Sequence, residues 1–246
     1  MDEMIYLAMT GAKQTEYAQA INSNNLANVS TTGFRADLHA FSSAPIEGPG
    51  VESRINAVVD SYGTDFSGGP VATTDRNLDI AINGEGFIAV QSPDGTEAYT
   101  RAGNLSIGVG NLLTTAAGHL VLGNGGPVAI PDYHSLSIGN DGTISVIPIG
   151  QTLDATATVD RIKLVNPDTT LITKGADGLF RLPDGEIASA DPNVTVTPKA
   201  LEQSNVNVAK TLVNMIELAR QYEMQIKVIK TAEENADTAV QLMRLG

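Results

Sequence analysis

The sequence predicts a mixed α and β fold. Long N- and C-terminal helices form a coiled-coil-like layer, and an antiparallel β domain is inserted between them. Three observations carry this. Of 24 Gly, only Gly11 and Gly246 lie outside residues 33–198, and all 11 Pro lie within 45–198. Residues 201–246 have no Pro, no Gly before the last residue, and an apolar repeat seven residues long. Between the ends, short β-like runs alternate with Asp-Gly and Asn-Gly pairs. No helical run separates those strands, which argues against a parallel α/β sheet. The expected division is 1–34 and 201–246 as a terminal helical domain, 35–77 as an extended linking arm, and 78–200 as the β domain.

The C-terminal stretch organises the chain. At spacings of four and three it presents Val208, Leu212, Met215, Ala219, Tyr222, Ile226, Ile229, Glu233, Ala236, Val240 and Met243, all apolar except Glu233. That period is the coiled-coil one. Asn207 is placed to cap the helix. At 1.5 Å per residue the helix would be roughly 60 Å long. The preferred reading is a long helix whose stripe packs on another long helix; a core helix of a compact domain stays open.

Residues 2–28 are expected to be helical. Met4, Ile5, Leu7, Ala8, Met9 and Ala12, then Ala18, Ala20, Ile21, Leu26 and Ala27, form a weaker apolar face. Such a helix is marginal alone and needs a partner. It should stop within Asn28–Gly33. Ser30-Thr31-Thr32 suit a helix interior poorly, and Gly33 can take the left-handed conformation that ends a helix. Residues 35–77, broken by Pro45, Gly48-Pro49-Gly50 and Gly68-Gly69-Pro70, show no periodicity. From Leu78 to Val196, strands are expected at Ile80–Ile82, Phe87–Val90, Ile144–Ile147, Arg161–Val165 and Val194–Val196. Asp-Gly pairs at 94–95, 141–142, 177–178 and 184–185 supply hairpin turns.

Composition excludes several functions. The net charge is −13, so no basic face awaits nucleic acid or anionic lipid. Without Cys there is neither disulfide nor thiolate chemistry. No apolar run is long enough to span a bilayer. Met1-Asp2-Glu3 is acidic where a secretory signal is basic, so residence outside the cytoplasm would need another export route. His39, His119 and His134 have no metal-ligand spacing. Gly84-Glu85-Gly86 lacks the rest of a dinucleotide fingerprint. No P-loop or Gly-x-Ser-x-Gly elbow is present. We expect no catalytic, cofactor-binding or metal-binding residues, no cofactor and no enzyme. A secreted enzyme or adhesin built on the β domain is the distant alternative, with only scattered acidic residues behind it.

The run Asn25-Leu26-Ala27-Asn28-Val29-Ser30-Thr31-Thr32-Gly33-Phe34 resembles the signature of the flagellar basal-body rod and hook family. Leu201-Glu202, then Ser204-Asn205-Val206-Asn207, resemble the approach to that family's C-terminal helix. Arg220, Tyr222-Glu223, Lys227, Ile229, Thr231-Ala232 and Glu234 resemble the helix itself. Asp79, Ala81-Ile82, Gly84, Gly86-Phe87 and Tyr99-Thr100-Arg101, Gly103-Asn104 match in the middle. The opening residues and Leu218–Lys227 resemble the proximal rod branch, with the distal rod branch as the alternative. The resemblance implies a structural rod subunit of the flagellar basal body, crossing the periplasm. Its partners would be copies of itself, other proximal and distal rod proteins, and the flagellar type III export apparatus, with no nucleic acid and no membrane insertion. It also implies an inner coiled-coil layer of terminal helices and an outward β domain. The expected family and assembly residues are Asn25, Leu26, Ala27, Asn28, Thr31, Gly33, Phe34, Ser204, Asn205, Val206, Asn207, Leu212, Met215, Ala219, Tyr222, Ile226 and Ile229.

Overall fold

A computed structural model of the chain describes residues 2–45, 55–150 and 156–244. The Gly48-Pro49-Gly50 signal and Gly246 lie outside these residues, and the side chain of Met243 is not described. The fold is mixed, with a helix at each end and antiparallel strands between. The chain divides into two units. One comprises Met1–Val29, Ala36–Asp65 and Val206–Gly246; the other comprises Ser30–Arg35 and Phe66–Asn205.

The second unit is the β unit. Its largest sheet has nine strands, with Phe87–Gln91 near the middle paired to Glu97–Thr100, Leu120–Gly123 and Leu164–Val165. Alternate residues of a strand face opposite sides of the sheet. Ile88 and Val90 enter the larger core with Ile80, Leu105, Leu113 and Ile144. Phe87 and Ala89 enter a second core with Tyr99, Val165 and Phe180. Both faces are covered, so the run Phe-Ile-Ala-Val is apolar throughout rather than alternating. Burying such a side chain contributes about 1.5–3 kcal/mol, which is why this unit can close its own core.

Three of the four Asp-Gly pairs make one repeated turn; the fourth, Asp184-Gly185, supplies no hairpin but lies in a short 3-10 turn, Pro183–Gly185, with Asp184 itself at φ 57°. At Asp141-Gly142, the Thr143 N–H donates to Asp141 Oδ1 at 3.1 Å and the Gly142 N–H donates to the Gly139 carbonyl at 3.0 Å, with Gly142 at φ 84°. Asp94-Gly95 and Asp177-Gly178 repeat the pattern with Thr96 and Leu179 as donors. The short Asp side chain stands in for a backbone acceptor. Gly takes the positive φ after it.

The first unit holds the helices α1 (Asp2–Ala27) and α2 (Val208–Arg244) and an antiparallel pair of strands, Asp37–Pro45 and Ile55–Thr64. Asn207 caps α2 as expected, its Oδ1 accepting the Lys210 N–H at 3.0 Å. The helices pack antiparallel: Asn22 Nδ2 donates to the Thr211 carbonyl at 2.8 Å, while Gly11 lies against the Gln225 side chain. On α1 the buried residues are Ala8, Ala12, Thr15, Ala18, Asn22 and Asn25, a small-residue line at spacings of three and four. On α2 they are Thr211, Leu218 and Ala232. The intrachain seam therefore runs beside the stripe read from the sequence. Small side chains on α1 favour close approach to the smaller, more polar flank of α2. Neither helix is long and apolar enough to cross a membrane.

The end of α1 differs from expectation. The helix finishes at Ala27, so Gly33 does not cap it. Gly33 does adopt φ 67°, but for another reason: a Cβ there would lie 2.3 Å from the Arg101 carbonyl carbon.

Candidate functional site

Three motif-bearing segments meet in the β unit around one carboxylate. Glu202 Oε1 accepts Arg35 Nη2 at 2.7 Å and the Gly69 N–H at 2.9 Å; Oε2 accepts Arg101 Nη1 at 3.0 Å. The side chains of Arg35, Glu202 and Arg101 are 0%, 2% and 6% exposed. The backbone closes the same junction. The Gly33 N–H donates to the Glu202 carbonyl at 2.8 Å, and the Asn205 N–H to the Phe34 carbonyl at 3.3 Å. Arg101 Nη2 reaches the Gly84 carbonyl at 2.5 Å and Lys174 Nζ the Arg35 carbonyl at 2.9 Å. The Lys174 ammonium also lies 4.0 Å above the Phe34 ring.

Two guanidiniums share one carboxylate, an excess of one buried positive charge. Burial pushes the Arg101 guanidinium below its usual value, while Glu202 opposes that shift. Arg35 Nε and Nη1 and Arg101 Nε have no hydrogen-bond partner among the described residues. Such a cluster is costly to desolvate and costlier to break, because removing one member strands a buried charge. Its chemistry is positional. It holds the segment after α1 and the segment before α2 on the β unit.

The expected motif residues are distributed as follows. Asn25 is buried in the helical unit and mimics a strand partner: its Nδ2 donates to the Asp37 carbonyl and its Oδ1 accepts the Asp37 N–H, both at 2.8 Å. Leu26 is half-buried and Ala27 exposed, while Asn28 Nδ2 donates to the Asn24 carbonyl at 3.0 Å. Thr31 is exposed, its carbonyl accepting the Phe34 N–H at 3.3 Å. Gly33 and Ser204 are buried, and Phe34, Asn205 and Val206 half-buried. Asn205 Nδ2 donates to the Ser67 carbonyl at 3.1 Å.

On α2, Met215, Ala219 and Ile229 are half-buried. Leu212, Tyr222 and Ile226 are 44%, 39% and 43% exposed, and Val213, Ile216 and Met224 lie more than half open. A large part of the apolar surface of α2 thus has no cover among the described residues.

The sequence reading assigned no role to Arg35, Arg101 or Glu202. Arg35 follows directly on Phe34, and Glu202 falls two residues before Ser204. The pair is 167 residues apart in sequence, and no periodicity marks it.

Known protein families match the chain over segments that include Arg35, Arg101 and Glu202. The model for flagella basal body rod proteins matches residues 5–35. The flagellar hook protein FlgE/F/G D1 domain matches residues 81–146, and the flagellar basal body rod FlgEFG protein C-terminal model matches 197–242. The flagellar basal-body rod protein FlgF of Escherichia coli is 40% identical, with all of both chains covered. The chain belongs to the flagellar basal-body rod protein family. FlgF of Salmonella typhimurium is 39% identical, again over all of both chains. The rod protein FlgG of Bacillus subtilis is 31% identical over 98% of each. Rod-family membership makes this a structural protein of the flagellar basal-body rod and not an enzyme.

Proposed function

We propose that this rod subunit polymerises by packing the exposed stripe of α2 against helices of neighbouring subunits, completing a coiled-coil layer that one chain begins. The observation behind this is the uncovered face of α2. Leu212, Tyr222, Ile226 and Val240 are 39% to 49% exposed along a helix of 37 residues. Surface helices of a finished domain keep that face in the core. Met215, Ala219 and Ile229 belong to the same stripe and are half-buried. Asn25, Leu26, Ala27, Asn28, Thr31, Gly33 and Phe34 would set the exit of α1, and Ser204, Asn205, Val206 and Asn207 the start of α2. The neighbours are copies of this chain and other rod subunits, after passage through the flagellar export apparatus. Identity to the two FlgF relatives above that to FlgG favours the proximal position in the rod. A division into terminal helices at 1–34 and 201–246, an arm at 35–77 and a β domain at 78–200 remains part of this reading.

Leu212→Asp and Ile226→Asp test it. A charge placed in a packed apolar seam costs several kcal/mol unless it is neutralised. Both variants should be exported at the normal level yet give no complete rods in basal-body preparations and no swimming. Normal motility of both would remove the role of the stripe.

A further inference from the structure

We infer that Asn124 is a site of spontaneous deamidation, singled out by the fold from the two Asn-Gly pairs of the chain. Those pairs are Asn83-Gly84 and Asn124-Gly125. In such a pair the backbone nitrogen of the Gly attacks the Asn side-chain carbonyl carbon. A bond forms between that nitrogen and Cγ, closing a five-membered succinimide. The Cγ–Nδ2 bond breaks, and Nδ2 leaves as ammonia with the proton lost by the Gly amide. Water then opens the ring at either carbonyl and leaves aspartate or isoaspartate. No oxidant or reductant is involved. The step needs a free side chain, a free Gly N–H and room for the backbone to turn.

Asn83 lacks two of these needs, a free side chain and a backbone free to turn. It ends the strand Ile80–Asn83 and is paired with Thr195. Its Oδ1 accepts Thr197 Oγ1 at 2.6 Å and its Nδ2 reaches Thr195 Oγ1 at 3.3 Å. The Gly84 carbonyl is held by Arg101 at 2.5 Å. Asn124 is the opposite case. Asn124-Gly125 is the exposed two-residue connection between the paired strands Leu120–Gly123 and Gly126–Pro127. Among the described residues the Asn124 side chain has no hydrogen-bond partner, whereas that of Asn83 is held at both ends; the glycine after each is equally open, so the side chain and its strand setting make the difference. Loop tips of small and polar residues are where local opening concentrates.

The change has a defined electrostatic setting. Asn124 lines a cavity of about 240 Å³ with Arg161, Ile162, Leu164 and Asp191. Conversion turns a neutral amide into a second carboxylate beside one guanidinium.

The test uses the purified full chain, incubated in mildly alkaline buffer, folded and in denaturant, and followed by peptide mass spectrometry with isoaspartate detection. In the folded chain Asn124 should convert several-fold faster than Asn83. In denaturant the two rates should come together, since both are Asn-Gly. Asn124→Gln should abolish the acidic form that accumulates on isoelectric focusing of the folded protein. Equal folded-state rates, a faster Asn83, or no conversion of Asn124 in the folded chain would each overturn the inference.

Discussion

Glu202 ties three segments of the β unit together through one buried carboxylate. It neutralises one of two buried guanidiniums and also accepts the Gly69 N–H. Replacing it by Ala strands both Arg35 and Arg101. We expect a loss of about 3–5 kcal/mol, the scale for breaking a buried ion pair, read from denaturant unfolding of the full chain. The Lys163–Glu97 bridge is more open, at 16% and 11% exposure, so Glu97→Ala should cost less. Equal losses would mean that burial does not govern the cluster. The acid limb of stability should depend on Asp177. Its hydrogen bonds with Arg181, at 2.6 and 3.0 Å, hold its carboxyl at about 2 against an ordinary 3.8. A depressed folded value means that the contribution is present above the ordinary value and lost as pH falls through the folded one. Stability should therefore drop between pH 3.8 and about 2. The drop is on the order of 1 kcal/mol, because the pair is partly open to solvent. Asp177→Asn should flatten that part of the pH profile, and an unchanged profile would refute the assignment. Such pairings are poorly legible in sequence. Asp177 and Arg181 are four residues apart and could be guessed. Arg35 and Glu202 meet only through the whole fold. Gly33 shows the same limit: its left-handed conformation was foreseeable, but the Arg101 backbone that demands it was not.

At the scale of elements, α2 has a seam flank against α1 and an exposed apolar stripe, and they answer differently to the same substitution. Leu218 is 5% exposed in the seam with α1, whereas Leu212 is 44% exposed. Leu218→Asp should therefore lower the helicity of the isolated chain by circular dichroism. Leu212→Asp should leave it nearly unchanged, with its effect confined to assembly. If both variants lose helicity equally, the distinction between seam and stripe is wrong. The heptad in the sequence located the helix correctly, because Val208, Leu212, Ile226 and their neighbours repeat whichever partner they meet. It could not say which flank is filled from within. That depends on Ala8, Ala12, Thr15 and Ala18 of α1, whose small size looks weak in a count of apolar residues. The β unit was easier to foresee. Phe87–Val90 and the Asp-Gly turns are local signals, and three hairpins turn where Asp94, Asp141 or Asp177 accepts a backbone N–H. Residues 37–64 were harder. The strands Asp37–Pro45 and Ile55–Thr64 pair in a register that shifts between Leu38 and Ala40, and such an irregularity blurs an alternating pattern.

For the whole molecule, the two units differ in how much of their stabilisation is internal. The β unit covers both faces of Phe87–Gln91 and buries Ile80, Ile88, Leu105, Leu113 and Ile144 completely. The helical unit orders 37 residues of α2 yet fully buries only two of its apolar side chains, Leu218 and Ala232, among the described residues. Ordering a residue costs about 1–2 kcal/mol of backbone entropy. Isolated helices recover little of this without packing. Leu212, Ile216, Met224 and Ile226 are 43–56% exposed among the described residues, so covering them would add about half of the 1.5–3 kcal/mol that full burial of such a side chain brings. We therefore expect the purified chain to be monomeric in dilute solution, with α2 opening far more often than the β unit. Limited proteolysis with mass spectrometry should cut first within 208–244 and the N-terminal helix, leaving a resistant core near 66–205. Segment 30–35 should behave differently from the helix before it. Arg35 is locked to Glu202 at 2.7 Å, so a fragment containing it should stay with the core even after cleavage between residues 36 and 65. Survival of α2 for as long as the core would sink the idea that neighbouring subunits complete its packing. Early loss of the Arg35 fragment would sink the anchoring role of the ion cluster while leaving the first conclusion standing.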